Sequence, residues 1–434
     1  MDAVNQAFLQ ILRAALLGQP AEPELSPPEW QQLLNMSQTH KVLPLVFEAV
    51  CSCPSLQKAE PSYLQAVRRQ AMQQVVLQTL RTEEFLVLNR RLRSAGITPV
   101  VVKGLVCRSL YPRPDHRPSS DEDILIPAGQ FDSAHRSLLE FGMQPSEAGQ
   151  ALIDAYEVPY RKEGSPLFIE LHKQLFPPES EAYGDLNRFF EGVFDRACTE
   201  TLQGEAVCTM APTDHMFYLI CHCFKHFLHS GFGLRQVCDI ILYANRFGSR
   251  IDWEMLLANC RAIRADKFAA ALFRIGQLHL TFDPETACFP HCWQSIRVDE
   301  TPMLTELLDA GIYGGSTTSR KHSSSITLEA VAAQKQGQKQ KNSLLLSAFP
   351  PAKQLQGRYP YLKKRPILLP AAWCHRLWHY AREARQDQNS ASDALKMGQD
   401  RLRLLREYGI LEIDRENIGN SRVVLQAKMD TSCF

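Results

Sequence analysis

Two short β-branched apolar runs, separated by a glycine break, constrain the fold of this chain more than any other feature. The runs cover residues 97–102 and 121–126, and the first ends abruptly at Lys103-Gly104. Both runs are bounded by turn residues, which predicts two strands joined by a turn, a short amphipathic segment and a Pro-rich loop. A glycine at a strand-to-helix break exposes backbone N–H groups that are suited to bind phosphate.

The second strand opens with two acids, Asp121 and Asp123, and a third acid follows in a later strand. Because residues two apart on a strand share one face, Asp121 and Asp123 are expected to project together. Carboxylates this close repel each other, and divalent cations bound through oxygen relieve that repulsion. The alternative is a polar strand entry that faces water. Residues 167–172 predict another strand, on which Glu170 and His172 share a face.

A glycine turn, a strand with paired carboxylates and a third strand acid, in this order, are what two-metal nucleotidyl transfer requires. At these residues the chain resembles the DNA polymerase β-like nucleotidyltransferase superfamily and, more narrowly, a bacterial family of uncharacterised nucleotidyltransferases. The positions that match the family motifs are Lys103-Gly104 after the first strand, Arg117 with Asp121 and Asp123, and Glu170 with His172.

The resemblance implies an α+β fold, in which a small mixed β-sheet forms the nucleotidyltransferase core between N-terminal and C-terminal helical units. It implies Mg²⁺-dependent transfer of NMP from an NTP, with ATP as the expected donor, to a hydroxyl acceptor. That acceptor is a small molecule, a natural-product intermediate or a protein side chain. The sequence names neither the base of the nucleotide nor the acceptor.

The resemblance also implies roles for individual residues. Asp121 and Asp123 would hold two Mg²⁺ ions, and Glu170 would ligate the ion at the acceptor hydroxyl and is a candidate general base. The residues assigned to the nucleotide phosphates are Lys103, Gly104 and Arg117. His172 is assigned to the substrate side, where it either orients Glu170 or touches the acceptor.

Two residues depart from the family pattern. Glu122, between the two aspartates, stands where an apolar residue is usual, so we expect it to face away from them and to be either wet or paired. Leu105 stands where the turn usually has a second small residue, so no serine hydroxyl is available there for a phosphate. Neither departure removes a predicted metal ligand.

A helix starting at Thr213 is predicted to carry a stripe of histidines. The stripe is formed by His215, His222, His226 and His229, with Lys225 beside it. Three readings are open: a metal site, a polar wall of the catalytic cleft, or partly buried histidines paired with neighbours. The resemblance favours the cleft wall, with His222, Lys225 and His226 on the substrate side.

The chain is long enough for several packed units. A long helix is predicted from Pro61 to the cap at Gly96, with Met72, Val76 and Leu80 on one face. The predicted units are an N-terminal helical unit (1–96), the nucleotidyltransferase core (97–210), a helical substrate-side domain (211–312), a flexible linker (313–343) and a C-terminal helical extension (344–434).

Composition and charge limit the classes of partner and the cellular location that we expect. The net charge of +1 gives no reason to expect general nucleic-acid binding. Thirteen cysteines without a repeating spacing, together with the lack of a signal peptide, predict reduced thiols and a cytoplasmic location. No apolar run is long enough to span a membrane. The oligomeric state is not predicted.

Two other functions remain open at this point. One is a catalytically inactive module that keeps the fold and binds nucleotide or another protein. The other is a His-rich metallohydrolase built on the stripe from His215 to His229, which would require a stoichiometric transition metal.

Overall fold

The computed structural model describes residues 1–146, 148–149, 152, 154–229, 231–309, 318–335, 352–355, 359–363, 365–375 and 391–412. The chain divides into two compact units, Met1–Ser316 and Thr317–Phe434. No helix in the described ranges is both long and apolar enough to cross a bilayer.

The first unit is built on one mixed sheet of seven strands, in the order β3-β4-β5-β2-β1-β7-β6. The pairs β2–β5 and β1–β7 are parallel, and the other neighbours are antiparallel. This mixed sheet with flanking helices confirms the predicted α+β class. The strands are β1 Val100–Val102, β2 Glu122–Leu125, β3 Gln144–Pro145, β4 Glu157–Arg161, β5 Phe168–His172, β6 Cys198–Leu202 and β7 Glu205–Thr209.

Helices surround this sheet, with four of them before the first strand. The helices of the first unit are α1 Ala3–Leu16, α2 Pro27–Thr39, α3 Leu43–Val50, α4 Pro61–Ser94, α5 Gly104–Arg108, α6 Phe131–Glu140, α7 Val193–Arg196, α8 Pro212–His229, α9 Leu234–Phe247, α10 Trp253–Ala262, α11 Asp266–His279, α12 His291–Gln294 and α13 Thr301–Asp309. A 3₁₀ segment, Gly184–Phe190, precedes α7.

The register of the central strands fixes which side chains meet. Asp123 on β2 is paired with Val102 on β1 and with Glu170 on β5. The pairing of β2 and β5 is parallel, so Asp123 and Glu170 project to the same face. The turn after β1 and the acids of β2 and β5 therefore lie side by side.

The long helix α4 is apolar on one face, as predicted, but that face is not covered along its whole length. Met72, Val76 and Leu80 are 58%, 56% and 53% exposed, whereas Phe85 and Leu92 are fully buried. A helix of 34 residues is about 50 Å long, longer than one face of a small sheet. The C-terminal half of α4 therefore supplies most of its buried apolar side chains.

Helix α8 begins at Pro212, one residue before the predicted start at Thr213. Thr213 lies inside the helix, and its hydroxyl accepts a hydrogen bond from the backbone N–H of Asp252 at 2.9 Å. The side chain thus links α8 to the start of α10 instead of capping its own helix.

The second unit contains α14 Thr318–Lys335, α15 Ala352–Leu355 and α16 Ala391–Glu407. Residues 318–335 belong to the segment predicted as a flexible linker. They form a helix because Thr327, Ala330 and Val331 recur on one buried face, and α14 packs against α16. The predicted linker residues 313–317 and 336–343 lie outside the described residues. So do residues 344–351, 376–390 and 413–434 of the predicted extension.

Candidate active site

The turn after β1 has a backbone conformation that is rare for a residue with a side chain. Lys103 has φ 42° and ψ −106°, and helix α5 starts at the next residue. Such conformations cost about 1–3 kcal/mol and persist only where the surroundings hold them. Here the Lys103 N–H donates to Nε2 of His215 at 3.0 Å.

His215 is itself held by a hydrogen-bonded chain. Its Nδ1 lies 3.3 Å from the hydroxyl of Thr209, and that hydroxyl donates to the carbonyl of Val101 at 2.7 Å. Burial lowers the pKa of His215 to about 3, so the ring is neutral at physiological pH. Nε2 accepts from Lys103, hence Nδ1 carries the proton. The first histidine of the predicted stripe therefore supports the turn.

The close approach of the Glu122 carboxylate explains why the first residue of α5 is a glycine. A Cβ on Gly104 would lie 2.2 Å from Oε2 of Glu122. That oxygen accepts the N–H of Leu105 at 2.9 Å, and Oε1 is 2.6 Å from Nη1 of Arg108. Both charged side chains are completely buried. Glu122 is thus paired, one of the two outcomes expected from the sequence, and it occupies a backbone amide of the turn.

Three potential metal ligands converge on the opposite side of β2. One ligand atom each from Asp123, Glu170 and His172 lies within 4.8 Å of the other two. Nε2 of His172 is 3.1 Å from Oδ1 of Asp123 and 3.7 Å from Oε2 of Glu170. The ammonium of Lys103 is 3.0 Å from Oδ2 of Asp123. Two carboxylates and two basic groups therefore share one small volume.

The electrostatics of this group are set by burial and by opposing charges. Burial raises the pKa of Asp123, Lys103 lowers it and Asp121 raises it again, with a net increase. Burial lowers the pKa of His172, but hydrogen bonds to Asp123 and Glu170 raise it to about 9. At neutral pH His172 is therefore protonated and balances part of the carboxylate charge.

The group also fits a divalent cation. Oδ2 of Asp123 is buried and faces the Lys103 ammonium at 3.0 Å, and Nδ1 of His172 lies 3.4 Å from Oε2 of Glu157. A buried carboxylate oxygen that faces a cation is also suited to bind a metal ion. Lys103 has the same sign of charge as such a cation and neutralises Asp123 in its place.

Asp121 lies at the edge of an adjoining cavity of about 200 Å³. It precedes β2, and among the described residues it does not belong to the group of three converging ligands. Burial raises its pKa, but Lys103 and then Arg235 lower it, to about 2. The cavity is lined by charged and polar groups that include Lys41, Lys103, Arg117, Asp121, His222, His226, Arg235 and Asp239.

Arg117, predicted to contact phosphate, is already paired. Its Nε and Nη2 donate to the two carboxylate oxygens of Asp239 at 3.0 and 2.5 Å, and Tyr111 donates to the same carboxylate at 2.8 Å. Asp239 lies on α9, four residues after Arg235, a spacing at which two side chains of a helix can pair. Asp239 instead forms the bidentate pair with Arg117. Arg117 thus joins the loop before β2 to α9.

Two cavity residues were not found from the sequence: Lys41, between α2 and α3, and Arg235, in the first turn of α9. Each is a single cation without a motif, and each is far from Asp121 along the chain. Only the tertiary packing brings them together.

The remaining stripe residues divide between the cavity and its surroundings. His222 Nε2 is 3.3 Å from the Lys103 ammonium and 3.1 Å from Nε2 of His226, and both rings line the cavity. His229 is 2.6 Å from the Tyr183 hydroxyl. Lys225 is half-buried, and burial lowers its pKa.

The stripe does not assemble a metal centre of its own in the described part of the chain. The only group there of three or more converging His, Cys, Asp or Glu ligands is the one on β2 and β5. The geometry thus corresponds to the cleft-wall reading for His222 and His226, and to the paired reading for His215.

Comparison with known proteins identifies the family to which this chain belongs. A solved structure of an antigenic nucleotidyltransferase-like protein from Paracoccidioides brasiliensis is 16% identical, with a TM-score of 0.28, and the match covers 48% of this chain and 95% of that one. None of the functionally curated proteins matches the chain. Residues 26–281, more than half of the chain, match the family model described as uncharacterised nucleotidyltransferase. The chain therefore belongs to this family of uncharacterised nucleotidyltransferases.

Proposed function

We propose that the protein transfers NMP from an NTP, ATP in the first instance, to a hydroxyl acceptor, with Mg²⁺ as the required ion. The observation that carries the proposal is the convergence of Asp123, Glu170 and His172 within 4.8 Å, beside a cavity lined by cations. Family membership supports an NTP as the substrate and a divalent metal as the cofactor.

Asp121, Asp123 and Glu170 are the residues that would hold the metal. Bound there, Mg²⁺ would polarise the phosphoryl oxygens and offset charge that develops during transfer. Glu122 is directed onto Arg108, which leaves the two aspartates for the cleft side. Two ions are proposed because Asp121 lies apart from the converging group and offers a second carboxylate.

Side chains of the protein would accept the proton of the acceptor and offset the charge of the phosphates. The acceptor oxygen forms a bond to the α-phosphorus, the bond to pyrophosphate breaks, and the acceptor proton passes to Glu170. The Glu170 side chain is 23% exposed, so an acceptor can reach it. Lys103 supplies positive charge to the phosphates, and His172 orients Glu170 and Asp123 through Nε2.

The test is NMP transfer from each labelled NTP into a cell extract, followed by thermal melts of parent and the double variant Asp121→Asn/Asp123→Asn. Mg²⁺-NTP should raise the melting temperature of the parent, by an amount corresponding to about 2.7 kcal/mol at a hundred times Kd. Without ligand the double variant should differ little from the parent in stability, because the relief of carboxylate repulsion is offset by the loss of attraction to Lys103 and Arg235. Equal ligand-induced shifts in both proteins would exclude these aspartates as the metal site.

A second candidate is an inactive nucleotide-binding module of the same fold. The observation that favours it is the ion pair between the Lys103 ammonium and Oδ2 of Asp123 at 3.0 Å, since a fixed ammonium there would take the place of a cation. Such a module would bind NTP without requiring Mg²⁺ and without turnover. Lys103→Met separates the two: it should weaken an enzyme's transfer, but restore metal binding if the lysine blocks the site.

A further inference from the structure

We propose that Lys41 and Arg235 form the binding site for the pyrophosphate portion of the nucleotide, the β- and γ-phosphates. The inference rests on the proposed function and assigns a role to the N-terminal helical unit, which contributes Lys41. It moves the phosphate site from Arg117 and the glycine turn to two cations that no sequence motif marks.

Two groups of the expected phosphate site are already occupied. The Leu105 N–H donates to Glu122, and the guanidinium of Arg117 is held on both oxygens of Asp239. A phosphate would have to displace a buried carboxylate from either group, which would leave that carboxylate without its partner. The glycine turn and Arg117 are therefore poorly placed to supply most of the binding.

Lys41 and Arg235, in contrast, have no counterion. Neither makes an ion pair in the described part of the chain. The Nε of Arg235 is buried without a hydrogen-bond partner, and Nη1 donates to the carbonyl of Pro118, a neutral group. Two cations that line one cavity and form no ion pair repel each other, as the lower pKa of Lys41 beside Arg235 shows. An anionic ligand would remove that repulsion and satisfy Nε.

The pKa directions of the two residues agree with this lack of an ion-pair partner. Burial lowers the pKa of Lys41, and the nearby charge of Arg235 lowers it further. Burial also lowers the pKa of Arg235, and Arg117 adds to that decrease. Asp121 opposes both changes, and Asp239 also raises the pKa of Arg235, although its carboxylate is bound to Arg117. If Asp121 binds metal, Lys41 loses the acid that raises its pKa, and Arg235 keeps only Asp239, which Arg117 already holds.

The size and position of the cavity favour the diphosphate end of the nucleotide. Its volume of about 200 Å³ is below the roughly 300–1,000 Å³ of sites that enclose a whole drug-sized ligand. The same cavity is bordered by Asp121 and Lys103, next to the metal-ligand group. The amide groups at the start of α9, where Arg235 lies, add positive potential. The β- and γ-phosphates fill such a space, while sugar and base extend outside it.

The experiment is calorimetric titration of the full chain with Mg²⁺-pyrophosphate, Mg²⁺-ATP, AMP and orthophosphate. Lys41→Met and Arg235→Met should each weaken pyrophosphate and ATP at least tenfold and leave AMP unchanged. Lys41→Arg and Arg235→Lys keep the charge and should retain most of the affinity. The matched controls Lys58→Met and Arg246→Met remove exposed cations, the second of them on α9, and should change nothing.

Thermal melts of each variant exclude misfolding, since the loss of an unpaired cation should not lower the melting temperature. Equal losses for AMP and pyrophosphate, or no loss for either variant, would overturn the assignment. Orthophosphate binding as tightly as pyrophosphate would point to a single phosphate on the acceptor instead, and would also overturn it. Because no turnover is measured, pyrophosphate binding that depends on both cations, without NMP transfer from any NTP, would refute the proposed function alone.

Discussion

Neighbouring acids on β2 are buried in opposite environments. Glu122 is completely buried, and its two carboxylate oxygens contact the Leu105 N–H and the Arg108 guanidinium, with Ser119 Oγ 3.3 Å away. Asp123 is 1% exposed, yet its Oδ2 has no hydrogen bond and faces the Lys103 ammonium. Strand alternation directs the two carboxylates to opposite faces of one sheet.

The difference separates a carboxylate that supports the fold from one that is available to a ligand. On the Glu122 side the partners come from the same β1–α5–β2 segment, so the contacts form with the local structure. On the Asp123 side the partners come from the turn after β1 and from β5, and Lys103 of that turn also contacts His222 of α8. Burial alone therefore does not distinguish a structural acid from a functional one; the state of its individual oxygens does.

The largest expected effect is on the Glu122 side. Glu122→Gln should lower the free energy of unfolding by about 3–5 kcal/mol, because Arg108 keeps its buried charge without a counterion. Asp123→Asn should cost less, since Glu170 remains beside Lys103 and His172 and repulsion from Asp121 is relieved. Both variants are measured by urea unfolding in EDTA. A double variant, Glu122→Met with Arg108→Met, removes both charges and should recover most of the loss.

If Asp123→Asn proved as destabilising as Glu122→Gln, the two sides of β2 would be equivalent and Asp123 would be a structural acid. If the double methionine variant were no better than Glu122→Gln, the cost would lie in the contacts to Leu105 and Ser119 and not in the charge of Arg108.

The sequence predicted the strands that carry the site, but only part of the contacts between its side chains. β-Branched runs bounded by turns predicted β1, β2 and β5 closely, and parity placed Asp123 and Glu170 on faces that the register brings together. Strand β6 was missed, because its residues are partly exposed and polar residues alternate along it. A local sequence pattern therefore predicts a strand or helix where buried side chains recur with the period of that element.

Contacts over long sequence distances could not be read in the same way. Arg117 was expected to face phosphate, but its partner Asp239 is supplied by α9, more than a hundred residues later. Lys41 and Arg235 have no spacing relation to the Asp-x-Asp strand at all. Whether a charged side chain is paired depends on which side chains the tertiary fold brings within hydrogen-bond distance. A single charged residue has no periodic sequence pattern from which its partner could be predicted.

A smaller effect is expected at Gly104, the residue that brings the turn close to Glu122. Gly104→Ala places a methyl group 2.2 Å from Oε2 of Glu122 and forces that carboxylate away from its partners. We expect a loss of about 1–3 kcal/mol, as for overpacking elsewhere. Gly129→Ala is the matched control, because a Cβ there meets nothing within 4 Å. Urea unfolding of both variants measures the difference, and equal stabilities would show that the Glu122 side has room to adjust.

The last effect concerns pH, and it should come from the Asp123 side alone. The folded-state pKa of His172 is raised to about 9, above its unfolded value of about 6.5, because Asp123 and Glu170 hydrogen-bond to the ring. The native state therefore binds more protons between these values. Its contribution, on the order of 3 kcal/mol, is complete below pH 6.5 and disappears as the pH rises through 9. His172→Gln should flatten the stability of the protein over this range, measured by urea unfolding in EDTA, whereas Glu122→Gln should lower stability equally at every pH. A parent whose stability does not fall between pH 6.5 and 9 would mean that His172 is not protonated beside Asp123, and would remove the electrostatic contrast between the two sides of β2.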